Sequence, residues 1–424
     1  MKARTLCKVI LVFFLSILFI CLAFFLVVHF ADDNLAKFAL KKALAKNENL
    51  DVQFETFHLD KSMNSIQLTG LHAVSPKIDA SLDSLYVANI RWFPLLFSKQ
   101  FIFDSLYLQK VSFTSEKQIM QLKSLRAVMD QASLYGFYTR PVADKLTYAK
   151  KLGYQTGWSE IKLKAIHMKH LDLPALLHGK SIKTDSLLVD GLDMYIYRDK
   201  NIPPTKLQKM PTEALAKVPI TMDISLLKVS HSKLLYEEQK PGHPETSKMI
   251  LSELSITIPE FSNAKSAKWD VVLTANVSHT LPLKATMHFD MSRKDGHFTF
   301  DATAGPGPFS AFNGYLAPNM YVHFTAGHID QLNARAIGND KSMQGQLTLA
   351  YEGLKVNYLK RKEGVVSAVV SAAANAVLPN RRKLIPLDDP RLPITETVRD
   401  SYAPFPSFIM HFLLEGLTNC LWKK

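Results

Sequence analysis

The sequence predicts a mainly β protein with flanking helices, in which a single N-terminal transmembrane helix precedes an extended, gutter-like antiparallel β groove. Three observations predict this class: a long apolar run near the N-terminus, period-two alternation of apolar and polar residues, and an internal repeat. The chain has 424 residues, of which 47% are hydrophobic and 10% aromatic. This composition is typical of globular proteins and excludes a largely disordered chain.

The apolar run Val9–Val28 carries no charge and is long enough to cross a bilayer once. Lys2, Arg4 and Lys8 precede it, and the positive-inside rule therefore places the N-terminus in the cytoplasm and the body across the membrane. A cleaved signal peptide is the alternative, but the apolar region of such a peptide is usually only about 7–15 residues long. We expect a retained anchor.

Period-two alternation is clearest between residues 269 and 326, where one face of each predicted strand is apolar and the other is polar. We expect the apolar faces to line an open groove that holds acyl chains. The predicted groove residues are Trp269, Val271, Leu273, Leu283, Met287, Phe289, Phe298, Phe300, Val322 and Phe324. The same alternation would also suit a closed sandwich or barrel whose core packs on itself. The length of the chain and its additive repeat favour the groove.

The internal repeat consists of Asp-Ser-Leu followed by two apolar residues, and it begins at Asp83, Asp104 and Asp185. Beyond this motif, residues 99–113 align with residues 180–194 without a gap. The alignment predicts two copies of one strand pair, as in architectures that grow by adding similar units side by side. Chance similarity between short β-rich strings is the alternative.

Helical spacing divides the rest of the chain. Apolar residues spaced by three and four between Glu116 and Lys151 predict an inserted helical segment, and the stretch from Phe405 predicts an amphipathic C-terminal helix. Residues 365–378 predict another helix, with a polar stripe at Ser371 and Asn375. The predicted parts are the cytoplasmic tip and anchor (1–30), a juxtamembrane helix with the first β repeat (31–117), the helical insertion (118–160), the groove (161–360) and the basic, amphipathic C-terminal region (361–424).

The chain is basic, with a formal net charge of +13. Seven cations flank the helix predicted at residues 365–378, with Glu363 the one carboxylate between the first and last of them. They are Lys355, Lys360, Arg361, Lys362, Arg381, Arg382 and Lys383. Such a cluster fits docking on an anionic membrane surface, and a solvated rim on a packed helix is the alternative. Nucleic acid is not an expected partner, because the body is expected outside the cytoplasm.

The sequence offers no motif for catalysis, a cofactor or a metal. It contains no glycine-rich phosphate loop, and its three cysteines are not spaced as metal ligands. We expect His167 and His170 to be solvated surface residues, Glu237 and Glu238 to be strand-end charges facing water, and Gly338-Asn339-Asp340 to form a tight turn. No enzymatic activity, cofactor or metal is therefore predicted.

Several short motifs follow the anchor and the Leu35–Leu44 segment. They include Tyr197-Arg198-Asp199-Lys200, Tyr236-Glu237-Glu238, Gly338-Asn339-Asp340, Tyr351-Glu352-Gly353-Leu354-Lys355-Val356 and Arg399-Asp400. Together these features resemble the AsmA-like bacterial envelope proteins, relatives of TamB and the bridge-like lipid-transfer proteins, and the resemblance covers most of the chain.

The resemblance implies a single-pass inner-membrane protein with a periplasmic β groove. Its implied role is to bind or conduct phospholipid and so to contribute to outer-membrane lipid homeostasis or envelope biogenesis. The implied partners are phospholipid, the inner membrane, and envelope proteins or the outer membrane. An envelope scaffold that assists outer-membrane protein assembly without binding lipid is the alternative. The resemblance carries over no catalytic residue.

Overall fold

The computed structural model describes residues 51–359 and 368–422, except for residues 61, 63, 92, 95–96, 98–101, 178, 180 and 244. The predicted anchor Val9–Val28 and the adjoining Leu35–Leu44 segment lie outside the described residues. Within the described part of the chain, no helix combines the length and the hydropathy needed to cross a membrane.

The fold is mostly β, with 57% of the structure in strands and few helices, which confirms the mainly β class. Nineteen strands of the described residues belong to one large sheet, and neighbouring strands with an assigned register are antiparallel. The chain divides into two compact units. The described part of unit 1 comprises residues 51–143, 161–190 and 218–225, and unit 2 comprises residues 144–160, 191–217 and the described residues from 226 onward.

The strands follow one another along the chain with short connections. The first eight are β1 (Asp51–Gln53), β2 (Thr56–Leu59), β3 (Ile66–Ser75), β4 (Ile78–Ala88), β5 (Ser105–Ser115), β6 (Gln118–Val128), β7 (Gln131–Pro141) and β8 (Gly157–Lys169). Next come β9 (Ser181–Asp199), β10 (Thr221–Gln239), β11 (Ser247–Ser262), β12 (Lys268–Val277), β13 (Leu281–Asp290) and β14 (Phe298–Ala304). The last are β15 (Gly307–Pro308), β16 (Val322–Gly338), β17 (Ser342–Tyr358), β18 (Arg381–Arg382) and β19 (Thr395–Val398).

The helices of the described chain are short, apart from the last. They are α1 (Lys145–Leu152), α2 (Leu173–Leu177), α3 (Pro211–Ala216), α4 (Asn313–Met320), α5 (Ala368–Val377) and α6 (Phe405–Trp422), with a 3₁₀ helix at Phe309–Phe312. Helices α5 and α6 confirm the two helices predicted in the C-terminal region.

The predicted helical insertion at residues 118–160 is wrong over most of its length. Residues 118–141 form strands β6 and β7, and only α1 within this segment is an α-helix. The prediction failed because the spacing of three between Leu122 and Leu125 also fits one face of a helix. In the structure they lie on one face of a strand whose alternation is interrupted at Lys123, between them.

Candidate functional site

The apolar face of unit 1 is formed by four rows of side chains that cross strands β3 to β8. One row pairs leucines with leucines across five strands and ends at an isoleucine: Leu68, Leu85, Leu108, Leu125, Leu134 and Ile166. A second consists of Leu71, Leu82, Val111, Leu122, Phe137 and Leu163. Flanking them are the rows Ile66, Val87, Leu106, Ala127, Ala132, Met168 and Ala73, Ala80, Phe113, Met120, Thr139, Ile161.

Every strand from β3 to β8 builds this face with the same spacing of two, three and two residues. The step of three arises because one residue in the middle of each strand has no partner in the register with the neighbouring strand. Three of these residues, Gly70, Lys110 and Gly136, have positive φ angles of 61°, 47° and 63°. Such left-handed residues interrupt the normal alternation of a strand, as β-bulges do. The apolar side chains before and after each interruption therefore share a face.

Burial along the face changes from one edge to the other. In the leucine row, Leu68, Leu85 and Leu108 on β3 to β5 are buried, and leucines of α2 pack against the buried cluster that contains them. Leu125 and Leu134 on β6 and β7 are only half-buried. The row beside it changes in the same direction, since Leu71 and Leu82 are buried and the four residues after them are half-buried. Along its two central rows, the apolar face of unit 1 is thus sealed at β3 and β4 and partly open at β6 to β8, whereas Ala127, Ala132 and Thr139 in the flanking rows are buried.

The predicted groove residues belong to unit 2, and the register confirms that their alternation puts them on one face. Trp269 pairs with Phe289, Phe289 with Phe298, and Val271 with Met287. The prediction that this face lines an open groove is wrong for its aromatic residues. Trp269, Phe289, Phe298, Phe300 and Phe324 are all buried in one core cluster. Val271, Leu283, Met287 and Val322 are partly buried against the same core, and Leu273 is half-buried.

Helix α6 seals this core. The ring centroids of Phe405 and Phe298 are 5.0 Å apart, and Phe408 and Phe412 are almost completely buried. The 3₁₀ helix adds Phe309, whose ring centroid is 5.1 Å from that of Phe324. The closed core, which was the alternative to the groove, therefore describes these residues. The aromatic side of α6 therefore packs against the core of the protein itself.

A polar network at the ends of β9 and β10 corrects a second prediction. Glu237 and Glu238 do not face water, since they are only 6% and 1% exposed. Glu237 accepts hydrogen bonds from Tyr195 and Thr246, and its Oε2 atom lies 3.0 Å from the Nζ atom of Lys145 at the start of α1. As expected for neighbours on a strand, the two carboxylates have separate partners.

Glu238 has its own lysine. Its Oε2 atom lies 2.8 Å from the Nζ atom of Lys200 and accepts a hydrogen bond from Tyr236, and its Oε1 atom accepts one from Asn319 in α4. Burial opposes ionisation of Glu238, but Lys200, Tyr236 and Asn319 together hold its pKa below the ordinary value. For Glu237, burial is likewise outweighed by Tyr195, Thr246 and Lys145, so its pKa is also lowered. Each carboxylate is neutralised by its own lysine, so the two do not form an acid–base pair around a common substrate.

The membrane-surface candidates fall into two groups. Lys355, Arg381 and Lys383 are exposed, and Arg382 is half-buried. Lys360, Arg361 and Lys362 lie outside the described residues. The described candidates lie on or next to strands β17 and β18, which pair through Glu352 and Arg381.

Of the two histidines predicted to be solvated, one is exposed and one is half-buried, and the predicted turn is present. His170 is exposed, with its Nδ1 atom 2.6 Å from an oxygen of Asp185, whereas His167 is half-buried and its Nδ1 atom lies 2.9 Å from the hydroxyl of Ser133. Among the described residues, no group of three or more His, Cys, Asp or Glu side chains is arranged to hold a metal ion. Asn339 confirms the predicted turn, because its side-chain oxygen accepts hydrogen bonds from the amides of Lys341 and Ser342.

No protein-family model and no curated protein matches this chain. The resemblance to AsmA-like proteins therefore stays a resemblance of motifs. The apolar face of unit 1 was missed at the sequence level, although its spacing of two, three and two residues recurs in six successive strands and could have revealed it.

Proposed function

We propose that the chain is a single-pass inner-membrane protein of AsmA-like type whose periplasmic body binds phospholipid acyl chains on the apolar face of unit 1. The observation that carries the proposal is the change in burial along the two central rows of this face. Such a row starts in a sealed core and continues into half-buried leucines, and an acyl chain can pack on those leucines. This location replaces the groove predicted in unit 2.

The chemistry of the rows favours an acyl chain. The four rows across six strands contain one polar side chain, Thr139, and its hydroxyl is already bonded to the carbonyl of Ile119. An occupant of this face therefore gains nothing from hydrogen-bonding groups. Burying an acyl chain contributes about 0.8 kcal/mol per methylene.

The dimensions also agree. The three strands with half-buried leucines and the strand before them offer three strand spacings of about 4.8 Å, or roughly 14 Å of row. One leaflet of a bilayer has a hydrocarbon thickness of about 15 Å, half of the roughly 30 Å core. A single row can therefore cover most of the length of one acyl chain.

Photo-crosslinking in intact membranes tests this proposal. A benzoylphenylalanine side chain at Phe137, in a half-buried row of β7, is expected to crosslink to phospholipid on irradiation. The matched control is the same side chain at Tyr135, which is 39% exposed and stacks edge-to-face on His167. We expect little lipid adduct at Tyr135.

Lipid that co-purifies with the protein gives a second measurement. Phe137→Glu should remove the lipid that co-purifies with the full chain, whereas Tyr135→Glu should retain it, with thermal unfolding of both variants showing that they are folded. A lipid-free wild-type protein, or crosslinks from Phe137 to envelope proteins alone, would contradict lipid binding and would favour the scaffold alternative.

A further inference from the structure

Helix α5 is oriented with its polar stripe toward the protein. The side-chain amide of Asn375 donates to the carbonyl of Val356 and its oxygen accepts from the amide of the same residue, both at 2.8 Å. The hydroxyl of Ser371 accepts a hydrogen bond from the amide of Tyr358. The two polar side chains therefore satisfy backbone amide and carbonyl groups of Val356 and Tyr358 on β17.

Because the polar stripe faces β17, apolar side chains of α5 face outward. Val370 is 49% exposed and Val377 is 69% exposed, whereas Ser371 and Ala374 are buried against the sheet. This is the reverse of an ordinary surface helix, which buries its apolar side and hydrates its polar side. Leu384, which follows β18, is also exposed.

Cations precede and follow α5 along the chain. Lys355, Arg381 and Lys383 are exposed, and the chain from Lys355 to Lys383 contains seven Lys or Arg residues and one carboxylate, Glu363. The exposed Glu352 pairs across the strands with Arg381 and offsets part of this charge. Exposed valines on a helix with exposed cations before and after it in the chain are the combination that an anionic bilayer surface attracts, through apolar burial and through its negative potential.

We propose that α5 and its flanking cations form a docking surface for an anionic lipid bilayer, with Val370 and Val377 inserted at the level of the headgroups. The proposal goes beyond lipid binding by unit 1, because it concerns a different surface and holds whether or not unit 1 carries an acyl chain. A bilayer fits better than a protein partner because the exposed residues of α5 include none of the aromatic or arginine anchors that usually dominate protein interfaces.

The test uses the full chain, with Cys7→Ser and Cys21→Ser, held in nanodiscs of neutral phosphatidylcholine. An environment-sensitive dye is attached at Val377→Cys, or at Val398→Cys as the matched control. Val398 is also a valine and is 76% exposed, on β19. Phosphatidylcholine vesicles with and without phosphatidylglycerol are added, and the vesicles carry a lipid-bound quencher.

The dye at position 377 is expected to shift to the blue and to be quenched by vesicles that contain phosphatidylglycerol, at low salt. High salt should reverse the change, and the dye at position 398 should not respond. The triple variant Lys355→Gln, Arg381→Gln, Lys383→Gln should weaken vesicle binding by roughly tenfold or more, with an unchanged unfolding temperature.

Three results would overturn docking on an anionic bilayer. The first is an unchanged dye at position 377 with anionic vesicles. The second is an equal response at positions 377 and 398. The third is a shift at position 377 that depends on protein concentration without vesicles, which would indicate that a second copy of the chain covers α5.

Discussion

Lys200 and Glu238 form an ion pair across the ends of β9 and β10, with 2.8 Å between Nζ and Oε2 and a Glu238 side chain that is 1% exposed. The pair is held by the neighbouring hydroxyl of Tyr236 and the amide of Asn319. Two of the motifs that carry the family resemblance therefore meet here, and their role in the structure is to satisfy a buried charge. Removing one partner of such a pair leaves the other uncompensated.

The pair predicts an acid-sensitive fold. The pKa of Glu238 in the folded protein lies below its ordinary value of 4.5, so its stabilising contribution is complete above about pH 4.5 and is lost as the pH falls through the lower, folded pKa. We expect the free energy of unfolding of the wild type to fall more steeply below this pH than that of Glu238→Gln. Urea titrations at several pH values measure the difference, and Glu116→Gln at an exposed turn is the control.

At neutral pH, Glu238→Gln should lower the free energy of unfolding by about 2–3 kcal/mol. This is below the range of about 3–5 kcal/mol for breaking a fully buried pair, because the Lys200 side chain remains 26% exposed. A change within error of zero would show that the pair contributes nothing net to stability.

The attachment of α5 to β17 depends on Asn375. Asn375→Leu keeps a similar volume but leaves the amide and carbonyl of Val356 without their side-chain partners. We expect a loss of about 1–3 kcal/mol, as for other unsatisfied backbone groups, and faster amide hydrogen exchange at Val356. Ser371→Ala, which removes one hydrogen bond to Tyr358, should cost less. Equal protection of Val356 in the variant and the wild type would contradict this role.

The sequence predicted strands best where alternation is uninterrupted. Residues 269–302 alternate strictly enough that the predicted face and the observed register agree. What covers that face was not predictable, because α6 is more than 80 residues away in sequence from most of it and its apolar spacing fits a membrane surface as well as a core. The error at β6 arose locally, since an interrupted strand and a helix both place apolar residues three apart.

The stability costs of truncating two phenylalanines on strands compare the packing of the closed core with that of the partly open face. Phe298 is completely buried in unit 2, whereas Phe137 is half-buried in unit 1. We expect Phe298→Ala to cost about 3–5 kcal/mol, as in well-packed cores, and Phe137→Ala to cost clearly less. Chemical denaturation of both variants gives the comparison. Equal costs would mean that the unit 1 face is as tightly packed as the unit 2 core.

Glycine is required for different reasons at two positions of β17. A Cβ atom at Gly345 would lie 2.1 Å from the carbonyl oxygen of Arg335 on β16, whereas one at Gly353 would meet no atom within 4 Å. Gly345→Ala should therefore destabilise the fold by at least about 2 kcal/mol through overpacking. Gly353→Ala should cost about 1–2 kcal/mol, because its φ of 67° is unfavourable for a residue with a side chain. Gly353→Asn should recover part of that loss, and Gly345→Asn should not.

The internal repeat predicts the best residue for position 110. Lys110 aligns with Gly191 in the gapless match of residues 99–113 to residues 180–194, and both have left-handed backbone angles, with φ of 47° and 65°. Glycine adopts this conformation without strain, whereas a β-branched residue rarely does. Lys110→Gly should match or exceed the wild type in unfolding temperature, since the exposed ion pair of Lys110 with Asp83 contributes only about 0–1 kcal/mol.

Lys110→Val is the informative counterpart, because valine has a high strand propensity and should stabilise a regular strand at this position. If the interruption is intrinsic to β5, the valine variant should be less stable than the glycine variant by about 1–2 kcal/mol. It should also shift Leu108 and Val111 out of their common face, because regular alternation puts residues three apart on opposite faces. A stable Lys110→Val variant that retains bound lipid would show that the apolar face of unit 1 does not depend on the interrupted strands.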